Sequence, residues 1–235
     1  MKRRLGKDPL IVGCVASEAA LRRCARKAPA DCDWIEVRLD LTGLCGGEWP
    51  ELCAAVRRRG RPVLLTIRSA REGGRWRGRE AERLALVLHG LDIAAAVDVE
   101  IAAPAFGLVA EAAHRRGVAV VGSFHDFRGT PNAARLAALE ARGRALGADV
   151  VKIAAQVRSA ADLARLFALP ERAGGAICVL GMGAKGAISR VALPGAGSCL
   201  AYGALEAATA PGQLRCRDLA KELARWGVRP RRAGK

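Results

Sequence analysis

Eight short apolar segments recur along this chain, and they constrain its fold more than any other feature. They are rich in β-branched residues and shorter than ordinary helices, which is typical of strands that are buried on both faces. Such strands need a second layer on each side of their sheet. The candidate strands are Leu10–Val15, Trp34–Leu39, Pro62–Ile67, Val97–Ile101, Val118–Ser123, Asp149–Ala154, Ala176–Leu180 and, more weakly, Gly197–Ala201.

Most of the intervals between these segments carry apolar residues at i, i+3 and i+4, with charged residues elsewhere. This spacing predicts amphipathic helices. The Gly-rich interval after Leu180 has room for a short helix at most. The candidate helices are Glu18–Arg26, Glu51–Arg59, Arg79–His89, Ala105–Arg116, Pro131–Leu146, Ser159–Leu169 and Arg217–Trp226.

Strands that alternate with helices predict an α/β fold in which the strands pair in parallel through right-handed crossovers. Eight such units in 235 residues fit a (β/α)8 (TIM) barrel, which typically has about 250 residues, better than an open doubly wound sheet. Because no linker or low-complexity segment divides the chain, we predict a single barrel domain over residues 1–235. Its basic tails, at about 1–8 and 228–235, are candidates for disorder.

The composition argues against several classes of protein. Hydrophobic residues make up 51% of the chain, which is enough for a buried core without disulfides. No apolar stretch reaches the ~18 residues of a membrane span, and no signal-peptide region follows the first four residues. We therefore expect a cytoplasmic protein that does not associate with membranes.

Cofactor motifs are also lacking in the sequence. The eight cysteines form no CxxC pair and the chain has only three histidines, so neither a zinc site nor a disulfide framework is indicated. No GxGxxG motif or P-loop is present, which leaves nucleotide binding without support. We expect no metal and no cofactor.

The net charge of +16 and the pI near 10.5 raise the alternative of a protein that binds nucleic acid or another polyanion. Much of the excess charge lies in the first seven residues and at or beyond the last predicted helix. Aromatic residues make up only 4% of the chain, so few side chains could stack on single-stranded bases. We expect no nucleic-acid partner; a steep salt dependence of binding would contradict this expectation.

His125 and Lys152 each interrupt an apolar run, where a packed core has little use for a titratable group. Lysine is seldom fully buried unless it is paired or functional. Desolvation lowers the pKa of an amine, and a neutral amine attacks carbonyl groups. The pair therefore suggests Schiff-base chemistry coupled to proton transfer. The alternatives are a solvent-facing lysine on an edge strand and a histidine in a loop.

Polar residues also cluster where the predicted strands end. Active sites of such barrels lie at the C-terminal face, at the ends of the strands, so these side chains are expected to meet. Lys185, in a Gly-rich loop, is a weaker candidate nucleophile because nothing there would desolvate it. The residues at or near the strand ends are Glu36, Arg38, Arg68, Asp98, Glu100, His125, Lys152, Arg190 and Gln213.

In this order and spacing, the chain resembles the type I 3-dehydroquinate dehydratases over about residues 9–216. Any one of the matching motifs is weak, but the ordered set is specific. The motifs are Glu36-Val-Arg38-Leu-Asp40, Thr66-Ile-Arg68-Ser-Ala-Arg-Glu72-Gly-Gly74, Asp98-Val-Glu100, Ser123-Phe-His125-Asp-Phe127, Val151-Lys152-Ile-Ala154, Gly183-Ala-Lys-Gly186-Ala-Ile-Ser189-Arg190 and Ala210-Pro-Gly-Gln213.

The resemblance implies the third step of the shikimate pathway, a syn elimination of water from 3-dehydroquinate that yields 3-dehydroshikimate. Lys152 would form a Schiff base with the C3 ketone of the substrate. His125 would take a proton from C2 and help to expel the C1 hydroxyl, which suits an imidazole near neutral pH. Glu72 would orient His125.

The resemblance also implies how the substrate is held. Arg190 and Gln213 would bind its carboxylate, and the loop Glu206–Gln213 would close as a lid. Two positions depart from the family pattern: Cys14 and Thr209 stand where serine is usual or frequent. We expect a homodimer. The implied substrate-binding residues are Glu36, Arg38, Arg68, Arg190, Thr209 and Gln213.

Other interpretations remain at this point. A Schiff-base aldolase on the same type of barrel would also need the strand lysine, although it leaves the Ser189-Arg190 and Pro-Gly-Gln213 motifs unexplained. Asp98 and Glu100 could brace the barrel interior through ion pairs rather than act on substrate. His89 and His114 lie near predicted helix ends, where a structural or solvated role is expected.

Overall fold

The computed structural model describes residues 9–208, 210 and 212–229, and its central element is an eight-stranded parallel sheet. The strands lie side by side in chain order from the first to the seventh, and the eighth lies on the other side of the first. The predicted (β/α)8 barrel is confirmed. The strands are β1 (Leu10–Val15), β2 (Trp34–Arg38), β3 (Val63–Thr66), β4 (Ala96–Glu100), β5 (Ala119–Asp126), β6 (Val150–Gln156), β7 (Ile177–Met182) and β8 (Leu200–Ala204).

The barrel is nearly closed between β7 and β8, where the residues before β8 bridge the two strands. The Cys199 N–H donates to the Ile177 carbonyl oxygen at 2.8 Å. The hydroxyl of Ser198 accepts from the Val179 N–H at 2.9 Å. Backbone groups at the edges of the sheet therefore find partners although β7 and β8 do not form a regular ladder.

Helices surround the sheet, as predicted. Side chains of Ser17, Asn132 and Ser159 cap the first, sixth and seventh helices by accepting a backbone N–H, the usual role of such residues at a helix start. The helices are α1 (Glu18–Arg26), α2 (Leu39–Thr42), α3 (Trp49–Arg58), α4 (Glu80–Gly90), α5 (Phe106–Arg115), α6 (Ala133–Ala145), α7 (Ala160–Arg172), α8 (Ser189–Gly195) and α9 (Cys216–Arg225).

Two sequence predictions need correction in detail. β8 begins at Leu200, because Gly197 adopts a left-handed φ of 106° and belongs to the preceding turn. His125 lies inside β5 rather than after it, paired in register with Ala154 of β6. Within the predicted C-terminal tail, Arg229 forms an ion pair of 2.8 Å with the buried Asp33. The predicted tail at residues 1–8, and residues 230–235 of the other tail, lie outside the described residues.

Alternation along the strands places the site. In β6, Val150 and Ala154 belong to an apolar cluster inside the barrel, whereas Val151 and Ile153 belong to the cluster beneath the helices. Lys152 lies two residues from each of the interior pair, and successive side chains of a strand point to opposite faces. Its side chain therefore points into the barrel, above a floor of apolar residues.

Candidate active site

A cavity opens at the C-terminal end of the barrel, where the strand ends meet. It is lined by every predicted catalytic and substrate-binding residue that the structure describes. Thr209 lies outside the described residues. The predicted residues that line the cavity are Glu36, Arg38, Arg68, Glu72, His125, Lys152, Arg190 and Gln213.

Lys152 is buried, with 4% of its surface exposed. Its Nζ donates to Oδ2 of Asp98 at 3.0 Å and lies 3.7 Å from Oε1 of Glu36. The ring of Tyr202 lies beneath the ammonium group, with its centroid 4.1 Å from Nζ. Three strands, β2, β4 and β8, thus supply the surroundings of this one amine.

These neighbours reverse the expected effect of burial on Lys152. Burial lowers the pKa of the amine, but the carboxylates of Asp98 and Glu36 outweigh burial, so the pKa is raised above its ordinary value. The prediction that desolvation makes this amine neutral is therefore wrong for the free site. The physical reason is Coulombic attraction, which is strong in a site shielded from water.

Asp98 joins the lysine to a wider network. Its Oδ1 accepts from Arg68 Nη2 at 2.7 Å and from the Ser123 hydroxyl at 2.6 Å. Burial would raise the pKa of Asp98, but Arg68 and Lys152 hold it well below its usual range. Asp98 therefore remains ionised and braces the site through ion pairs, which was one of the interpretations open from sequence.

His125 lies against Glu72. Its Nδ1 is 2.9 Å from Oε2 of Glu72, and the same oxygen accepts the backbone N–H of His125 at 3.0 Å. Burial raises the pKa of Glu72 to about 8, but the two N–H groups of His125 that meet Oε2 favour the ionised form, so we assign the ring proton to Nδ1. Nε2 then keeps its lone pair and can act as a base.

Burial lowers the pKa of His125 well below its usual value. The cations of Arg68 and Lys152 lower it further, whereas the carboxylate of Asp98 opposes the shift. The imidazole is therefore neutral near pH 7, the state that a general base requires.

Two of the residues implied for substrate binding are already held by protein partners. Arg38 donates through Nε and Nη2 to both oxygens of Asp40, at 3.0 and 2.8 Å. Glu36 accepts from the hydroxyl of Thr66 at 3.0 Å and from the thiol of Cys14 at 3.1 Å. These contacts orient the groups that line the cavity, and the sequence reasoning assigned no role to Asp40 or Thr66.

Arg190 and Gln213 border another part of the cavity. Arg190 lies in the short helix α8 with 3% of its surface exposed, and burial lowers its pKa. Nε2 of Gln213 lies 3.4 Å from the sulfur of Cys14. The predicted lid loop is tied to α1 at its start, because Glu206 accepts from the Ser17 hydroxyl at 2.8 Å and pairs with Arg23.

The competing candidates lie elsewhere. Lys185 is exposed and donates to the Arg158 carbonyl oxygen at 3.0 Å. His114 contacts Asp149 at 3.0 Å, and His89 packs edge-on against Trp49. None of these three titratable residues lines the cavity.

Sequence reasoning missed the apolar part of the lining. Leu180, Met182 and Tyr202 face the cavity from β7 and β8, and Phe127 contributes from the end of β5. Alternation along β7 and β8 was the signal that could have identified the first three. Within the described ranges, no group of three or more His, Cys, Asp or Glu side chains is placed to hold a metal ion. No helix within these ranges is long and apolar enough to cross a membrane.

A sequence model of the family described as Type I 3-dehydroquinase matches residues 12–228. The chain belongs to this family. The predicted family and function are confirmed: the enzyme is a hydro-lyase of the type I 3-dehydroquinase family that acts in the shikimate pathway. A polyanion-binding protein and a Schiff-base aldolase are thereby ruled out as descriptions of its main activity.

Curated relatives cover nearly the whole chain. The 3-dehydroquinate dehydratase of Methanosarcina barkeri is 36% identical over 224 residues, which are 90% of this chain and 93% of the relative. The enzyme of Methanosarcina mazei is 34% identical over 225 residues, 89% of this chain and 92% of the relative.

Solved structures agree with the fold of this family member. The 3-dehydroquinate dehydratase of Geobacillus kaustophilus has a TM-score of 0.88 and 27% identity, and the match covers 96% of this chain and 94% of that one. The type I enzyme of Clostridium difficile, solved with covalently modified comenic acid, has a TM-score of 0.86 and 27% identity over 94% of this chain and 93% of that one.

Proposed function

We propose that the enzyme removes water from 3-dehydroquinate by syn elimination through an imine on Lys152. The observation that carries the proposal is the buried Nζ of Lys152 in the same cavity as a neutral His125 held by Glu72. Ser123 pairs in register with Lys152, and His125 lies two residues further along the same face, about 7 Å along the strand. The two groups can therefore reach adjacent carbons of one ring.

The proposed reaction has four steps. Nζ adds to the C3 carbonyl and water leaves, which forms a protonated imine. Nε2 of His125 removes a proton from C2, and the electron pair of that C–H bond moves into the imine to give an enamine. The enamine then expels the C1 hydroxyl, which takes the proton from His125 and leaves as water. Hydrolysis of the new imine releases 3-dehydroshikimate and frees Lys152.

The amine must lose a proton before it attacks, because Asp98 and Glu36 raise its pKa. His125, with its lowered pKa, is a neutral base in the same cavity. We propose that His125 accepts this proton, directly or through water, when substrate enters. It returns the proton to the C3 oxygen that leaves as water, and is neutral again before it removes the C2 proton. Asp98 and Glu36 then stabilise the cationic imine, which keeps the positive charge at the same place.

The substrate is proposed to lie with its carboxylate on Arg190 and Gln213. Its ring hydroxyls would contact the polar groups of Glu36, Arg38 and Arg68, and Thr209 would contribute from the lid loop. Asp40 keeps the Arg38 fork in one orientation, which lowers the entropy cost of binding. A homodimer and a cytoplasmic location stay predictions.

The direct test is an ultraviolet assay of the purified protein for conversion of 3-dehydroquinate to 3-dehydroshikimate. We expect stoichiometric loss of water and no cleavage of a carbon–carbon bond. Formation of two smaller carbonyl products, or no conversion by folded protein, would contradict the proposal.

As the pH is lowered, the activity should begin to fall only below the range usual for histidine. Because burial and three cations lower the pKa of His125, we expect the acidic limb of kcat/KM to lie below about pH 6.5, the ordinary histidine value. Burial raises the pKa of Glu72 to about 8, but its contacts with two N–H groups of His125 favour the ionised form. In that form Glu72 supports the imidazolium, so Glu72→Gln should move the limb to still lower pH. Steady-state kinetics against pH measure both effects.

The matched control is Glu111→Gln on the exposed face of α5, which should leave the limb in place. An acidic limb that Glu72→Gln does not move would show that Glu72 is not the partner of His125 in catalysis.

Replacement of Arg190 by lysine should weaken use of the substrate although the charge is kept. A guanidinium group can donate two parallel hydrogen bonds to one carboxylate, and one of them is lost when lysine replaces arginine. We expect the transition-state stabilisation calculated from kcat/KM to fall by about 1.5–3 kcal/mol, the usual contribution of a charge-assisted hydrogen bond. Arg217→Lys, on the exposed side of α9, is the control.

Equal kinetics in the two variants would mean that the carboxylate binds elsewhere. Arg229, although close to the C-terminus, is unsuitable as a control because it pairs with the buried Asp33.

A further inference from the structure

Arg83 is a buried cation outside the cavity. It lies on α4 with 4% of its surface exposed. Nη1 donates to the Ile67 carbonyl oxygen at 2.8 Å and to Oε2 of Glu100 at 2.5 Å. Nε and Nη2 donate to the two oxygens of Glu80 at 2.9 and 2.6 Å. The guanidinium is thus held on both sides, and it links α4 to the ends of β3 and β4.

Glu100 in turn contacts the loop that follows β3. Its second oxygen, Oε1, accepts the backbone N–H of Ser69 at 2.9 Å and lies 3.5 Å from Nη1 of Arg68. Burial would raise the pKa of Glu100, but Arg68 and Arg83 lower it below its usual value. An ionised carboxylate therefore holds one backbone amide at the start of the loop.

Ser69 begins the turn that carries Glu72. The carbonyl oxygen of Ser69 accepts the N–H of Glu72 at 3.2 Å and that of Gly74 at 2.9 Å. Gly74 packs so closely on the backbone that a Cβ there would lie 2.0 Å from the Arg68 carbonyl oxygen. The turn is therefore compact, and a displacement of Ser69 would displace the carboxylate of Glu72.

We propose that Arg83 and Glu100 are positioning residues that act through Ser69 to keep Glu72 against His125. Neither residue lines the cavity, so any effect on catalysis must pass through the turn. This inference rests on the proposed roles of Glu72 and His125. It assigns to Glu100 a function beyond the bracing role that the sequence left open, and to Arg83 a function that the sequence did not indicate.

The pKa of His125 reports on the position of Glu72, because the carboxyl group of Glu72 contacts its ring. Glu72 faces it from the turn, Arg68 from β3 and Asp98 from β4. Arg38 of β2 and Lys152 of β6 also act on it and lower its pKa. Arg68 is held chiefly by Asp98 and Ser123, so loss of the Ser69 anchor should move Glu72 more than any of the other groups.

The first test is Arg83→Met. If Glu72 loses its position, kcat should fall on the order of tenfold to a hundredfold, the cost of a misplaced catalytic group. The acidic limb of kcat/KM should move to lower pH, as in Glu72→Gln. In a Glu72→Gln background the same substitution should change kcat by less than about twofold and leave the limb in place, because the effects of coupled residues are not additive. Arg79→Met, which removes an exposed ion pair between the N-cap residue of the same helix and Glu82, is the matched control.

The second test avoids the removal of a buried charge, which can unfold a protein. Ser69 has φ −68°, a value that proline adopts without strain. Ser69→Pro therefore removes the N–H held by Glu100 and keeps the backbone angle, whereas Ser69→Ala keeps that N–H. We expect the proline variant alone to lower kcat and shift the limb.

The outcomes separate the two levels of inference. Suppose that Glu72→Gln shifts the acidic limb, whereas Arg83→Met and Ser69→Pro fold and keep the wild-type limb. This result would overturn the positioning role and leave the proposed function intact. Effects of Arg83→Met that persist in full in the Glu72→Gln background would also overturn it. An unshifted limb in Glu72→Gln would overturn both the role of Glu72 and the positioning that depends on it.

Discussion

Replacement of Lys152 by methionine is expected to lower kcat on the order of 10⁴- to 10⁶-fold, the range over which loss of a covalent nucleophile acts. Methionine keeps most of the volume of the side chain but has no amine to form the imine. The adjacent carboxylates of Asp98 and Glu36 lose their shared cation, so thermal unfolding should be measured alongside activity to show that the variant folds.

Covalent trapping on the unaltered enzyme gives the same prediction a readout that does not depend on a variant. Borohydride added with substrate or product should reduce the imine and fix a ligand-sized mass on the peptide that contains Lys152. Activity should be lost in proportion to the adduct. Lys185→Met is the control and should trap ligand normally, because Lys185 is exposed and outside the cavity. An adduct on Lys185, or none, would refute the imine at Lys152.

Replacement of His125 by alanine is expected to lower kcat by roughly 10²- to 10⁴-fold, the usual contribution of a general acid–base. One imidazole removes the C2 proton and returns a proton to the departing hydroxyl, so both halves of the elimination depend on it. The acidic limb of the pH profile should disappear with the group that titrates. His114→Ala, at a surface contact with Asp149, should retain wild-type kinetics.

The same variant distinguishes proton transfer from imine formation. With product present, the His125→Ala enzyme should still be trapped on Lys152 by borohydride, although more slowly, since the amine remains. Isotope exchange at C2 of the bound ligand should be lost. Normal exchange at C2 without His125 would assign the proton transfer to another residue.

Much of the fold could be predicted because its signals are local. A short apolar run rich in β-branched residues indicates a buried strand from its own sequence. Eight such strands that alternate with amphipathic helices are compatible with few topologies in which both faces of the sheet are covered. Where a local signal was weak, the prediction slipped: β8 was placed three residues early, because Gly197 and Ser198 belong to the turn that joins β7 to β8.

The main catalytic candidates were also visible, since a lysine inside a buried strand has to be paired or used. Lys152 and His125 were found in this way, and the ordered motifs of the type I 3-dehydroquinase family added Glu72, Arg190 and Gln213. All five line the one cavity described at the strand ends. The sequence was sufficient for these residues because strand alternation determines which side chains enter the barrel.

The electrostatic state of the site depended on the tertiary structure. Sequence alone predicted a neutral Lys152, but Asp98 and Glu36, which are 54 and 116 residues away along the chain, raise its pKa. Arg83 had no signal in the sequence, because its importance comes from Glu100 on the next strand. Periodicity reports whether a side chain is buried, whereas Coulomb energy depends on distances that only the closed barrel sets. The sequence therefore determined which groups enter the site, and the tertiary structure decided their charge and their alignment.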